Sequence, residues 1–154
     1  MKIVTSATDE KTKTIDDAKV LKEGEGLLPK EDLQKSLNIY KLNYYISHEN
    51  YQGYEKTALE YYKNTDEFNA SELLAAAGVF NDHISNPKSL QMAARWAEKV
   101  VMSQENFDST SILASLYDKL GKKDEAKMFA GMAANFAKQE NRDGTKMNEI
   151  LNKK

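Results

Sequence analysis

Residues 108–137 read DSTSILASLYDKLGKKDEAKMFAGMAANFA, and this stretch decides the fold. Its first half places apolar groups at Ile112, Leu113, Leu116, Tyr117 and Leu120; its second half places them at Ala126, Phe129, Ala130, Ala133 and Ala134. Each set forms one stripe on a helix of about 3.6 residues per turn. Gly121 falls where the first helix must stop, because a residue without Cβ tolerates the positive φ of a helix C-terminus. The stretch therefore predicts a helical hairpin whose alanines let the two helices approach closely.

Working outward, the same pattern recurs. A shift of 35 residues lays Tyr45 on Phe80, His48 on His83, Ala58 on Ala93 and Tyr61 on Trp96. A further shift of 33 lays Ala93 on Ala126, Trp96 on Phe129 and Ala97 on Ala130. A small residue followed three positions later by an aromatic one is the recurring signal. Periods in the middle thirties mark stacked helical hairpins, each of which needs a neighbour to bury its second apolar side.

The helix limits follow from punctuation. Pro29 suits a first turn, and Leu33, Leu37, Tyr40 and Tyr44 carry a helix of about 18 residues to the vicinity of His48. Asn50 caps the next helix, with Gly53 in its first turn and Tyr54, Ala58, Tyr61 and Tyr62 as its stripe. Asn64-Thr65-Asp66 interrupts the pattern. Asn69 with Glu72 forms a capping box before a helix that reaches about Ile84. Asn86-Pro87 opens the most apolar helix, with Leu90, Ala93, Ala94, Trp96, Ala97, Val100 and Val101. After Asp143-Gly144, Met147, Ile150 and Leu151 give a short final helix suited to covering an exposed end. Residues 1–26 are expected to be a polar N-terminal tail or one short helix. Thr14 with Asp17 would start that helix, Ile15, Ala18 and Leu21 would line it, and Gly24-Glu25-Gly26 would end it.

The pattern Leu113-Ala114-x-x-Tyr117-x-x-x-Gly121-x-x-x-x-Ala126-x-x-x-Ala130-x-x-Ala133 resembles the tetratricopeptide (TPR) repeat, with Thr110 at the position of that family's early tryptophan. Residues 33–143 more broadly resemble the helical region that follows a thioredoxin-fold domain in some bacterial thioredoxin-family proteins. The run Ala93-Ala94-Arg95-Trp96-Ala97-Glu98-Lys99 and the run Leu116-Tyr117-Asp118-Lys119-Leu120-Gly121-Lys122 carry that likeness. The expected fold is all-α: residues 27–154 form a right-handed stack of three TPR-like helix pairs with a C-terminal capping helix. A compact bundle of six or seven helices is the alternative. The TPR resemblance implies a non-catalytic scaffold for protein–protein interaction; the second resemblance implies an accessory helical domain of a redox protein whose catalytic domain lies outside this chain. In TPR proteins the first helix of each pair lines a groove that holds an extended peptide. Carried over, that points to Asn43 and Ser47, to Asn81 and Asp82, and to Ser115, Asp118 and Lys119. With Lys119 as the set's sole cation, clamping of a C-terminal carboxylate is not implied.

Composition bounds the rest. A chain of 154 residues, with 40% apolar and 30% charged residues, suits a largely helical globular fold. A formal charge of −2 argues against nucleic-acid binding. No apolar run is long enough to insert into a membrane, and the N-terminus lacks the apolar core of a secretory signal. The expected location is cytoplasmic if the chain is complete, or periplasmic if an upstream segment is removed. Without cysteine there is no disulfide, thiolate metal site or thiol redox chemistry.

No catalytic constellation is legible. His48 and His83 occupy equivalent helix C-termini, where a cation meets the carbonyl dipoles, so capping accounts for both and no metal is expected. Residues 48–52 lack the second histidine of the zinc-protease pattern. No phosphate-binding glycine loop or nucleophile elbow is present, so no cofactor is expected. Asn69-Ala70-Ser71 matches a glycosylation sequon but reads as a helix cap. Seven of the eight tyrosines crowd into the first hairpin. Tyr40, Tyr44, Tyr61 and Tyr62 are assigned to packing. Tyr45, Tyr51 and Tyr54 are left between packing and an interface, with an upstream domain or a second copy of the chain as its partner in a homodimer.

Overall fold

The computed structural model describes residues 2–153, and helices dominate it. The chain divides into two compact units, Met1–Lys63 and Asn64–Lys154.

In the first unit, α1 (Lys2–Ser6) leads into a hairpin of β1 (Thr8–Asp9) and β2 (Thr14–Ile15), with Thr8 opposite Ile15. The Asp9 carboxylate makes the turn, accepting the Lys11 N–H at 2.9 Å and the Thr12 N–H at 3.2 Å. Lys13 closes it with a φ of 53°. Helix α2 (Asp17–Glu23) has its N-cap at Asp16, two residues later than Thr14, the start the sequence suggests. Thr14 is paired in β2, and the Asp16 carboxylate caps the helix by accepting the Lys19 N–H at 3.0 Å. Aspartate is the stronger cap, and an extended Thr14 is needed for the hairpin. The expected stripe changes accordingly: Ile15 is buried from the strand, and α2 buries Val20.

Helix α3 (Lys30–Ser47) follows Pro29, and α4 (Tyr51–Tyr61) packs against it. Lys41 on α3 meets Asp17 on α2 at 2.5 Å. The Asn50 side chain caps α4 by accepting the Gly53 N–H at 2.9 Å. Gly53 costs helix stability, yet a Cβ there would lie 3.0 Å from a ring carbon of Tyr45. Close approach of the first turn of α4 to that ring explains the glycine. Tyr44, Tyr45, Tyr54 and Tyr62 are buried, whereas Tyr40, Tyr51 and Tyr61 are half-buried. Tyr45 and Tyr54, which sequence left open, are thus core residues of this unit.

The second unit starts with a 3-10 turn at Thr65–Glu67, where the sequence pattern breaks. Helices α5 (Ala70–His83) and α6 (Pro87–Ser103) form one hairpin; α7 (Phe107–Lys119) and α8 (Lys123–Glu140) form another. Helix α6 packs on α7, and α9 (Thr145–Asn152) packs on α8 and α7. The Asn69–Glu72 capping box and the Asn86–Pro87 start both form. A further capping box joins Asn106 and Ser109 at the head of α7. Gly121 follows α7 at a φ of 72°, the left-handed geometry glycine accepts without strain.

Trp96 and Phe80 fill the centre of this unit, both at 0% exposure, with ring centroids 5.0 Å apart in an edge-on arrangement. Alanines line the helix contacts: Ala93, Ala97, Ala114 and Ala130 are fully buried. Thr110 is equally buried; its hydroxyl donates to the Asn106 carbonyl at 2.6 Å, which satisfies a polar group the core could not otherwise hold. Among the described residues no helix is long and apolar enough to cross a membrane.

Replacing Trp96 with alanine should lower the stability of the second unit by about 3–5 kcal/mol in urea unfolding followed by circular dichroism; a loss below about 1 kcal/mol would contradict its central position. Burial pushes the Tyr54 hydroxyl up to about 12. The folded chain keeps that proton where the unfolded chain loses it, so the contribution is complete below about pH 10 and is lost as pH rises towards about 12. Urea midpoints of the native chain should fall across that window, and Tyr54→Phe should flatten the fall.

Candidate functional site

The residues singled out from the sequence lie on the first helices of the hairpins, and each unit presents its own set. In the first unit Asn43 and Ser47 lie one turn apart on the exposed side of α3. The Asn43 amide donates to the Ile39 carbonyl at 3.0 Å, and the Ser47 hydroxyl donates to the Tyr44 carbonyl at 2.9 Å. Both side chains line an open groove of about 560 Å³ along this helix. Ile39 forms its apolar side, and the rings of Tyr40, Tyr44 and His48 form its other wall. That wall is a run of stacked rings: Tyr40 to Tyr44 at 6.1 Å and Tyr44 to His48 at 4.0 Å between centroids.

His48 ends α3 in the manner its position suggests. Its Nδ1 lies 2.8 Å from the Tyr44 carbonyl oxygen and 3.0 Å from the Ser47 hydroxyl. A carbonyl only accepts, so Nδ1 carries the hydrogen and the ring caps the helix. The Lys13 ammonium donates to the His48 carbonyl at 2.8 Å, adding a cation at the same negative helix end. Among the described residues no group of three or more His, Cys, Asp and Glu gathers to hold a metal ion.

In the second unit the chosen residues divide by burial. Asn81 and Ser115 are nearly covered, at 5% and 4% exposure, while Asp82 and Lys119 are exposed. Three of them come together. Lys119 on α7 donates to the Asn81 backbone carbonyl near the end of α5, and the Asn81 amide donates to the Asp82 carboxylate at 2.9 Å. Asp118 faces elsewhere, accepting from Lys153 at 2.5 Å beyond the end of α9. Those two and Ile150 border a smaller groove of about 270 Å³ beside the α7–α8 turn.

A part-buried polar contact that sequence did not indicate joins the two hairpins of the second unit. The Tyr117 hydroxyl on α7 donates to the Glu98 carboxylate on α6. Burial, and then this bond to a carboxylate, hold the Tyr117 hydroxyl well above its ordinary range, so it remains a donor. The Lys122 ammonium lies over the same ring, 5.0 Å from its centroid.

Sequence reasoning missed Ile39 and Ile46, which stand 44% and 42% exposed on α3. Their signal is legible afterwards: they lie seven residues apart with Asn43 between them, on the side opposite Leu37 and Tyr45. Comparison with protein-family models, with curated protein sequences and with solved structures finds no match for this chain.

The Lys119 contact predicts its own cost. Lys119→Met should destabilise the second unit by about 1–2 kcal/mol, because it removes a charged donor from the Asn81 carbonyl in the last turn of α5. Urea unfolding measures it, and an unchanged midpoint would mean that solvent replaces the ammonium without loss.

Proposed function

We propose that this chain is a non-catalytic protein-interaction scaffold built from TPR-like helix pairs. The observation that carries the reading is the equivalence of the pairs. Ala58, Ala93 and Ala126, which the repeat superimposes, are each buried to within 1% of complete on the second helix of their hairpin. Tyr45 and Phe80, which the shift of 35 superimposes, are also buried on their first helices, at 6% and 0% exposure. A repeated unit that uses its conserved-size positions for packing leaves the outer faces of its first helices to vary, and such faces serve recognition. Here those faces offer Asn43 and Ser47 on α3, and Asp82 and Lys119 on α5 and α7. These are amide, hydroxyl and charged groups suited to holding the backbone and side chains of a protein segment rather than to bond-making chemistry.

A displayed library of random linear peptides, followed by titration of the selected peptides into isotope-labelled protein, tests this reading. The expected result is saturable binding with resonance shifts confined to the Asn43–Ser47 face or to the Asp82–Lys119 face. A charge introduced on the shifted face, Asn43→Arg or Lys119→Glu, should weaken binding at least about tenfold, or about 1.4 kcal/mol. Peptides that never saturate, or shifts that avoid both faces, would overturn it.

A further inference from the structure

The exposed face of α3 has a spacing that its own unit does not use. Ser36, Ile39, Asn43 and Ile46 recur at intervals of three, four and three, the repeat by which one helix meets another along a seam. None of them is buried by the first unit, whose core takes Leu37, Leu42, Tyr44 and Tyr45 from the rest of the same helix. Ile39 and Ile46 remain 44% and 42% exposed. A polar residue between two apolar ones is the arrangement that fixes register in such seams.

We propose that this face docks on the same face of a second copy of the chain, the two α3 helices running antiparallel with Asn43 of each beside the twofold axis. The inference rests on the interaction-scaffold reading and names the occupant of one of its faces. Two features select the arrangement. First, setting Ile39 of one copy against Ile46 of the other puts the axis between positions 42 and 43, so both apolar contacts form and the two Asn43 side chains meet. Each Asn43 amide uses one N–H on the Ile39 carbonyl, and its remaining N–H and carbonyl oxygen suit the amide facing it. Second, charge favours antiparallel over parallel. Lys35 and Glu49 are exposed at opposite ends of the seam. Antiparallel docking brings Lys35 of each copy to Glu49 of the other, whereas parallel docking would oppose like charges at both ends. A twofold interface of this kind is self-complementary and closes at two copies. A seam of about three helical turns belongs at the small end of specific interfaces, so the dimer is weak and depends on concentration.

The absence of cysteine makes the test direct. Sedimentation equilibrium of the full chain over a concentration series should show reversible dimerisation, weakened at least about tenfold by Ile39→Lys with helical content unchanged. Under mild oxidation Asn43→Cys should yield a disulfide-linked dimer, and adding Ile39→Lys to it should suppress that product. Ser36→Cys should not link to itself, but it should link to Glu49→Cys in a mixture of the two variants. A chain that stays monomeric throughout, with Asn43→Cys linking no faster than a Gln52→Cys control on α4, overturns the inference. Rapid self-linking of Ser36→Cys also overturns it, because that requires parallel helices. A monomeric chain whose α3 resonances shift with a selected peptide overturns the second copy alone and leaves the scaffold reading intact. A chain that dimerises through Asn43 while binding no peptide supports the inference and narrows that reading to self-association.

Discussion

Two helices share a core only at the distance their facing side chains allow, and in the second unit alanine sets that distance. Ala114 on α7 and Ala126, Ala130 and Ala133 on α8 are buried to within 1% of complete. Small residues at a crossing draw the axes towards the short end of the usual range of about 8–10 Å. The large groups then do not have to separate the hairpin. Leu113, Leu116 and Trp96 can fill the layer next to it, where α6 packs on α7. Capping boxes at Asn69 and Asn106 and the glycine at 121 fix where each helix begins or ends, so the alanines meet in register. The first unit follows the same logic at a smaller scale, with Ala58 buried on α4 and Gly53 admitting the ring of Tyr45.

Most of this was legible in the sequence because helices announce themselves locally. A period near 3.6 and the residue that starts or stops it are contained within one segment: α3 begins after Pro29, α5 and α6 begin after Asn69 and Asn86, and α7 ends before Gly121. The β1–β2 hairpin was not legible. Its turn has no Gly, Pro or Asn, and rests on the Asp9 carboxylate and a left-handed Lys13. Its strands are only two residues long, too short for alternation to register. Once that hairpin claimed Thr14, the helix start moved to Asp16.

The outer faces were harder to read, for a related reason. Periodicity identifies which residues turn inward, but it does not say which of the remainder will stand free. Asn81 and Ser115 look like surface residues by type, and both are covered by neighbouring helices. Ile39 and Ile46 look like core residues by type, and both stand in solvent. The tyrosines divide the same way: Tyr45 and Tyr54 turn inward, while Tyr40 borders the open groove on α3. The faces proposed for interaction are thus what the core leaves over, and contacts at the helix ends hold them in place. Lys119 on the Asn81 carbonyl and His48 on the Tyr44 carbonyl both use the negative end of a helix for that purpose.

The measurement closest to the centre of this account enlarges one alanine. Ala130→Leu places a branched side chain at a fully buried position on α8. If close approach of α7 and α8 underlies the second unit, the substitution should lower its stability by about 1–3 kcal/mol in urea unfolding, with Ala130→Gly costing about 1 kcal/mol through helix propensity alone. A leucine accepted at position 130 with stability unchanged or raised would show that the helices have room to spare, and would contradict the claim.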